Sequence, residues 1–194
     1  MLLSPANLGG KRGQQILNPK SEFALARALR SAGGAPLGDV FAFVSSLYFR
    51  GKREYQAAFA RPPSGLLGGY VMTAGGGLCG LDELVTWERI ARWAAVSIHE
   101  QNAHFTAPLI RHASALLEAA DSDTHFVLLG SVATNKYVAP LLDVFGERLL
   151  YPTQFAGLGD MSRGSLLLSA VRDRRELSYA PISSRTTTAR LPSR

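Results

Sequence analysis

Four stretches of this chain combine glycines with charged or hydroxyl side chains, as loops that hold anions or flat polar ligands do. Asn7-Leu8-Gly9-Gly10-Lys11-Arg12 joins two glycines, whose backbone can form an amide nest, to two cations able to neutralise a phosphate or carboxylate. Thr73-Ala74-Gly75-Gly76-Gly77-Leu78-Cys79-Gly80 carries a glycine triplet, and Gly75 and Gly76 would let a flat ligand approach the backbone. It lacks the lysine and hydroxyl of a phosphate loop and the spaced glycines of a dinucleotide fold, and it reads equally well as a flexible loop. Gly130-Ser131-Val132-Ala133-Thr134-Asn135-Lys136-Tyr137 spans the end of an apolar strand and the start of a helix. There Ser131, Thr134, Lys136 and free helix-start amides make an anion site, or the hydroxyls merely cap the helix. Gly157-Leu158-Gly159-Asp160-Met161-Ser162-Arg163-Gly164 opens another helix, with Asp160 or Ser162 as cap and Arg163 free to clamp a carboxylate or phosphate through two parallel hydrogen bonds.

Other chemistries find less material. His99, His104, His112 and His125 are scattered; His104 and His112 lie eight apart on one helix with no third ligand at suitable spacing. With no HxxxH or CxxC pair, we expect no metal and no cofactor. The single cysteine, Cys79, excludes an internal disulfide and has no histidine beside it to activate its thiol. There is no G-x-S-x-G nucleophile elbow. Trp87 and Trp93 read as packing residues.

The elements that must position these segments alternate in type. Residues 1–4 form a short apolar stub before a turn-rich stretch, read as the end of a first strand entering a loop. Residues 21–31 present Phe23, Leu25, Ala26 and Leu29 on one helical face, with Ser21 as a cap, and Gly33-Gly34-Ala35-Pro36 ends the helix. Residues 40–49 and 50–60 read as helix, and Arg61-Pro62-Pro63-Ser64-Gly65 breaks the chain. A strand over 69–74 leads into the glycine triplet. Helical patterns follow over part of 82–95 and over 103–120, then a wholly apolar strand at 125–130. A helix over 131–145 ends at Gly146; strand 148–151, helix 162–171 and a last strand over 177–182 complete the pattern. The alternation predicts a three-layer α/β/α fold around a mostly parallel sheet of four to five strands. We expect a single α/β domain over residues 1–182 and a basic flexible tail over 183–194.

The chain has 194 residues, 46% hydrophobic and 19% charged, with a formal net charge of +6. Arg185, Arg190 and Arg194 supply three of those six charges within the last twelve residues, which contain no acid. Elsewhere the cations cluster at Lys11, Arg12 and Lys20 and at Arg50, Lys52 and Arg53. Such clusters attract phosphates or simply solvate a face. No apolar run approaches the ~20 residues that span a bilayer, so no membrane partner is expected. Ser4-Pro5 directly after Met1-Leu2-Leu3 leaves no signal-peptide core, and lone-cysteine usage fits the cytoplasm.

Ser46-Leu47-Tyr48-Phe49-Arg50-Gly51-Lys52-Arg53-Glu54-Tyr55 resembles the S-x-L-F-x-K-x-x-x-Y segment of YaaA-type peroxide-stress proteins, whose fold is close to that of uracil-DNA glycosylase and recurs in some archaeosine-pathway enzymes. Val71-Met72-Thr73-Ala74-Gly75-Gly76-Gly77-Leu78 is similar to the strand and small-residue Gly-Leu turn those domains carry next, and the stub before Lys11 matches their first strand. The first loop lacks the cysteine often found there, and Cys79-Gly80 stands where Pro-Asp usually follows. The resemblance implies an α/β fold and a nucleobase, nucleoside or nucleic-acid partner.

Three functions follow as expectations. The first is an enzyme acting on an N-glycosidic bond, with Asp160 positioning water or base and Asn7, Ser131 and Thr134 reading base or sugar edges; Lys11, Arg12, Lys136 and Arg163 would hold phosphate or developing negative charge. The second is a nucleic-acid-binding module using Arg50, Lys52 and Arg53 with Tyr48, Phe49 and Tyr55, although those aromatics also sit at the spacing of a packed helix face. The third is a structural or regulatory partner protein.

Overall fold

Two leucines suffice to start the sheet at its centre. In the computed structural model, which describes residues 1–184, β1 (Leu2–Leu3) lies between two longer parallel strands and both leucines are fully buried. The chain continues through α1 (Lys11–Leu17), α2 (Ala24–Arg30), β2 (Ala35–Pro36), α3 (Leu37–Val44) and α4 (Ser46–Phe59). Next come β3 (Tyr70–Thr73), β4 (Gly77–Gly80), β5 (Leu84–Val85), α5 (Trp87–Ala94) and α6 (Ala103–Ala119). β6 (Phe126–Leu129), α7 (Asn135–Phe145), β7 (Leu149–Pro152), α8 (Asp160–Arg172) and β8 (Tyr179–Pro181) complete it.

The main sheet has six strands in the order β4-β3-β1-β6-β7-β8. The four central strands are mutually parallel, and β4 and β8 close the two edges antiparallel. Side chains alternate across it as the pleat requires. Leu2, Met72, Phe126 and Leu128 face one core, built with Phe105 and Leu109 of α6 and Val138 and Leu141 of α7. Leu3, Val71, Val127 and Leu129 face the other, built with Phe41 of α3, Phe49 and Tyr55 of α4, Ile90 of α5 and Leu167 of α8. These are the three layers expected from the alternation.

The sixth strand is the departure. Gly75-Gly76 is a tight turn rather than an open loop: Thr73 Oγ1 accepts from Gly76 N (2.9 Å) and donates to Gly77 O (3.0 Å). Gly77 takes φ +69°, and β4 returns along β3 with Leu78 and Cys79 buried. Residues 11–13, the end of the stretch read as a loop, open α1, whose seven residues offer too little periodicity to betray it. Ser21 does not cap α2, which starts at Ala24 behind Phe23; the Ser21 hydroxyl instead donates to Gln15 O at 2.6 Å. Nor do Asp160 and Ser162 cap α8, whose N-cap is Gly159, with no side-chain bond. The expected tail lies, beyond Ser184, outside the described residues. Among the described residues no helix is long and apolar enough to cross a membrane.

The topology fixes where a ligand can sit. The connection leaving β1 runs through helices on one face of the sheet, whereas the connection leaving β6 runs through α7 on the other. Adjacent strands whose connections part to opposite faces leave a crevice beyond their carboxyl ends, the usual ligand position in open α/β sheets.

Candidate functional site

A cleft of about 780 Å³ occupies that crevice. The segment 4–12 after β1, Ser131 after β6, Lys136 and Tyr137 of α7 and Asp160 of α8 form its polar wall. The buried rings of Phe41, Tyr48 and Trp93 form its floor. Of the residues singled out above, Asn7, Gly9, Gly10, Lys11, Arg12, Ser131, Lys136 and Asp160 therefore share one cavity. Asn7 Oδ1 accepts from Gly9 N at 3.0 Å, which shapes the first loop, and Arg12 Nη1 reaches Phe43 O at 3.2 Å. Lys136 Nζ stands 4.9 Å above the Tyr137 ring.

Gly75, Gly76, Thr134 and Arg163 lie outside the lining. Gly75 and Gly76 pack against the Trp93 ring in the β3–β4 turn, so close that a Cβ at Gly76 would come within 2.5 Å of it. Both stay half-buried, and their neighbour Ala74 does line the cleft. Thr134 is the exposed N-cap residue of α7 and makes no side-chain capping bond.

Arg163 is placed differently from expectation. It is only 5% exposed, behind the cleft wall, where Nη1 stands 3.4 Å from Asp160 Oδ1 and Nη2 3.5 Å from Phe155 O, while Nε has no partner. Its neighbouring glycine serves packing. A Cβ on Gly164 would lie 3.0 Å from Tyr48 Cα, and one on Gly51 would lie 2.9 Å from Gly164 O. The two glycines let α4 and α8 cross in near contact, and that crossing sets Arg163 and Asp160 beside the α4 face bearing Tyr48, Lys52 and Tyr55.

That face holds the residue the sequence reading passed over as a catalytic group. Lys52 is 1% exposed and forms no ion pair among the described residues. Its Nζ donates to Ser4 O at 2.5 Å and meets Ser4 Oγ at 2.9 Å, and it lies 4.3 Å from the Tyr48 ring centre and 5.0 Å from that of Phe49. Burial pushes the ammonium down to about 7; Asp160 opposes the fall and Arg163 adds to it. Burial likewise pushes the Tyr48 hydroxyl up to about 12, with Arg163 the largest opposing influence, and the buried Tyr48 Oη has no hydrogen-bond partner. A lysine at 52 on a helix face otherwise apolar at 48, 49, 55 and 59 was the available signal.

The same burial removes the aromatic platform expected of Arg50-Lys52-Arg53. Tyr48, Phe49 and Tyr55 are core residues, Lys52 is internal and Arg53 is paired with Asp39. Cys79 is inert by position: burial, reinforced by Glu83, pushes its thiol up to about 11. His112 receives Leu78 N at its Nδ1 (3.2 Å), a packing role, and His104 is exposed. Trp93 is buried as expected, and Trp87 donates its indole N–H to Leu17 O at 3.0 Å.

A larger hollow, about 960 Å³, opens at the amino ends of the strands between Arg61, Leu66, Asp123, His125 and Glu176. Arg61 there is already paired with Glu176 at 3.1 Å, and among the described residues none of the buried side-chain polar atoms without a partner belongs to its lining. Comparison with protein-family models, curated proteins and solved structures finds no match.

Proposed function

We propose that the switch-point cleft binds a nucleoside or nucleotide and that the protein acts on its N-glycosidic bond. The observation that supports this reading is the delivery of Asn7, Lys11, Ser131, Lys136 and Asp160, from three of the four glycine-rich stretches, to one cavity. The half-buried Val44, Val96 and Ile98 offer a base an apolar surface, and a phosphate suits Lys11, Arg12 and Lys136 at the rim. Asn7 and Ser131 offer donors and acceptors to base and sugar edges. Asp160, whose side chain is 71% exposed at the first turn of α8, orients the attacking water, and the Arg163 guanidinium 3.4 Å behind it aims the carboxylate. The water oxygen bonds to the anomeric carbon as the carbon–nitrogen bond breaks. One water proton passes to Asp160 and on to the departing base.

Proton NMR of nucleosides, nucleotides and oligonucleotides incubated with the protein tests this. Free base is expected from at least one of them, and Asp160→Asn is expected to slow its release by about 100-fold or more. No base from any of these substrates, or release unaffected by Asp160→Asn, refutes the reading.

A further inference from the structure

We propose that Ser4 and Lys52 form an acyl-transfer pair, in which the Ser4 hydroxyl attacks the carbonyl carbon of a small anionic ester or amide held in the cleft and Lys52 Nζ takes its proton. Ser4 lines the cleft and Lys52 does not, so the serine stands between the amine and any ligand. The 2.9 Å separation of Nζ and Oγ is that of a nucleophile and its base, and the second contact, to Ser4 O at 2.5 Å, fixes the amine in place. A neutral amine keeps one N–H on that carbonyl and turns its lone pair to the hydroxyl hydrogen. Ser4 Oγ, now 3.3 Å from Leu129 O, has room to turn because Gly130 carries no side chain; a Cβ there would lie 3.0 Å from Ser4 Cβ and 3.3 Å from Oγ.

Among the described residues no carboxylate contacts Lys52, whose Nζ is held by the two Ser4 oxygens and lies against the Tyr48 and Phe49 rings. The titratable and charged groups acting on it are Tyr48 of its own helix, on whose ring it lies, and Asp160 and Arg163 of α8, which act in opposite directions. Burial therefore decides its state, and the amine is neutral over part of the physiological range. Tyr48 is in the same cleft lining, and its buried hydroxyl, which feels both Ser4 and Arg163, is the side-chain donor on hand for the oxygen of a tetrahedral intermediate.

The balance is as follows. Oγ bonds to the acyl carbon and its proton goes to Nζ. The bond to the leaving group breaks, and that group departs with the proton from Nζ. Water then attacks the acyl carbon, gives a proton to Nζ, and Oγ leaves with it as the acid is released. The cations at the rim, Lys11, Arg12 and Lys136, select a substrate with a negative charge. The inference shares only the cleft and this rim with the glycosidic reading and requires neither a base nor a sugar.

The test is intact-mass analysis of the full chain treated with an alkyl fluorophosphonate, in which the Oγ–P bond forms and fluoride leaves. A single adduct is expected, mapped to Ser4 and lost in Ser4→Ala. Its rate should rise with pH through about 7 and then level, following the free amine, and Lys52→Met should lower it by about 100-fold or more. The pH profile of the unsubstituted chain stands in if Lys52→Met fails to fold. No adduct at about pH 8.5, an adduct elsewhere, or a rate that does not change across pH 7 overturns the proposal. None of these results bears on release of a base, so the two readings fail separately.

Discussion

Lys52 is a cation buried to 1% exposure with no ion pair among the described residues, and the cost of that burial is measurable. The ammonium is held down to about 7 in the folded chain against an ordinary 10.5, because burial strips its water and no carboxylate replaces it. Below about 7 both folded and unfolded chains carry the proton, and the fold bears the full penalty of a buried charge. Between that value and 10.5 the unfolded chain binds more protons, so stability rises with pH, by at most ~1.4 kcal/mol per unit for a single group. Cys79 acts in the opposite sense, but only above its ordinary value of 9. The buried Met1 ammonium, lowered to about 5, adds to the rise up to its ordinary 8, so we expect urea unfolding to show a more stable protein at pH 9 than at pH 6.5, and Lys52→Met to reduce the difference, chiefly above pH 8. An equally steep profile in that variant would assign the effect elsewhere. At this scale the sequence was half legible. The rim cations and Asp160 announce themselves by lying in glycine-rich loops. Ser4 and Lys52 do not, because their meeting depends on a contact 48 positions long in the chain.

The α4–α8 crossing is the element-scale device that assembles the site. Gly51 and Gly164 lie where any side chain would force the helices apart, and the helices carry Lys52 on one side and Asp160 and Arg163 on the other. Gly164→Ala adds a methyl group 3.0 Å from Tyr48 Cα and 3.1 Å from the Leu47 carbonyl carbon. The helix-propensity gain of alanine, about 1 kcal/mol, is outweighed by overpacking, so a net loss of roughly 1–2 kcal/mol is expected in urea titration. Unchanged or increased stability would show that the helices separate freely, and the crossing would then not fix the site. From the sequence, Gly164 stood out as a flank of Arg163 with a ligand in mind; its partner, Gly51, is visible only in three dimensions. The glycine triplet was opaque for a related reason. Open loop and hairpin share the same residues, and what decides between them is Thr73 satisfying the turn and Trp93 closing over it. The long strands and helices were legible because burial on a sheet face or helix stripe leaves a period, which the seven-residue α1 is too short to show.

For the whole molecule, the alternation of strands and helices implies layers but not strand order, since nothing local states that β6 returns to the free side of β1. That return creates the crevice, and it brings the cations of the first loop to face Lys136 after β6. A ligand that uses the crevice therefore ties together segments far apart in the chain and binds only the folded state. At a concentration one hundred times its dissociation constant it stabilises the fold by ~2.7 kcal/mol, which for a domain of this size raises the melting temperature by about 5–10 °C. Nucleoside monophosphates are expected to give such a rise, and the uncharged nucleosides a smaller one. Lys11→Glu with Lys136→Glu should remove most of the difference between the two, because both cations stand on the cleft wall rather than in the core. Added salt should shrink the same difference, as it screens exposed charges across a Debye length of ~8 Å at physiological ionic strength. A rise that survives the double reversal would place the phosphate away from this rim, and with it the ligand away from the crevice that the strand order creates.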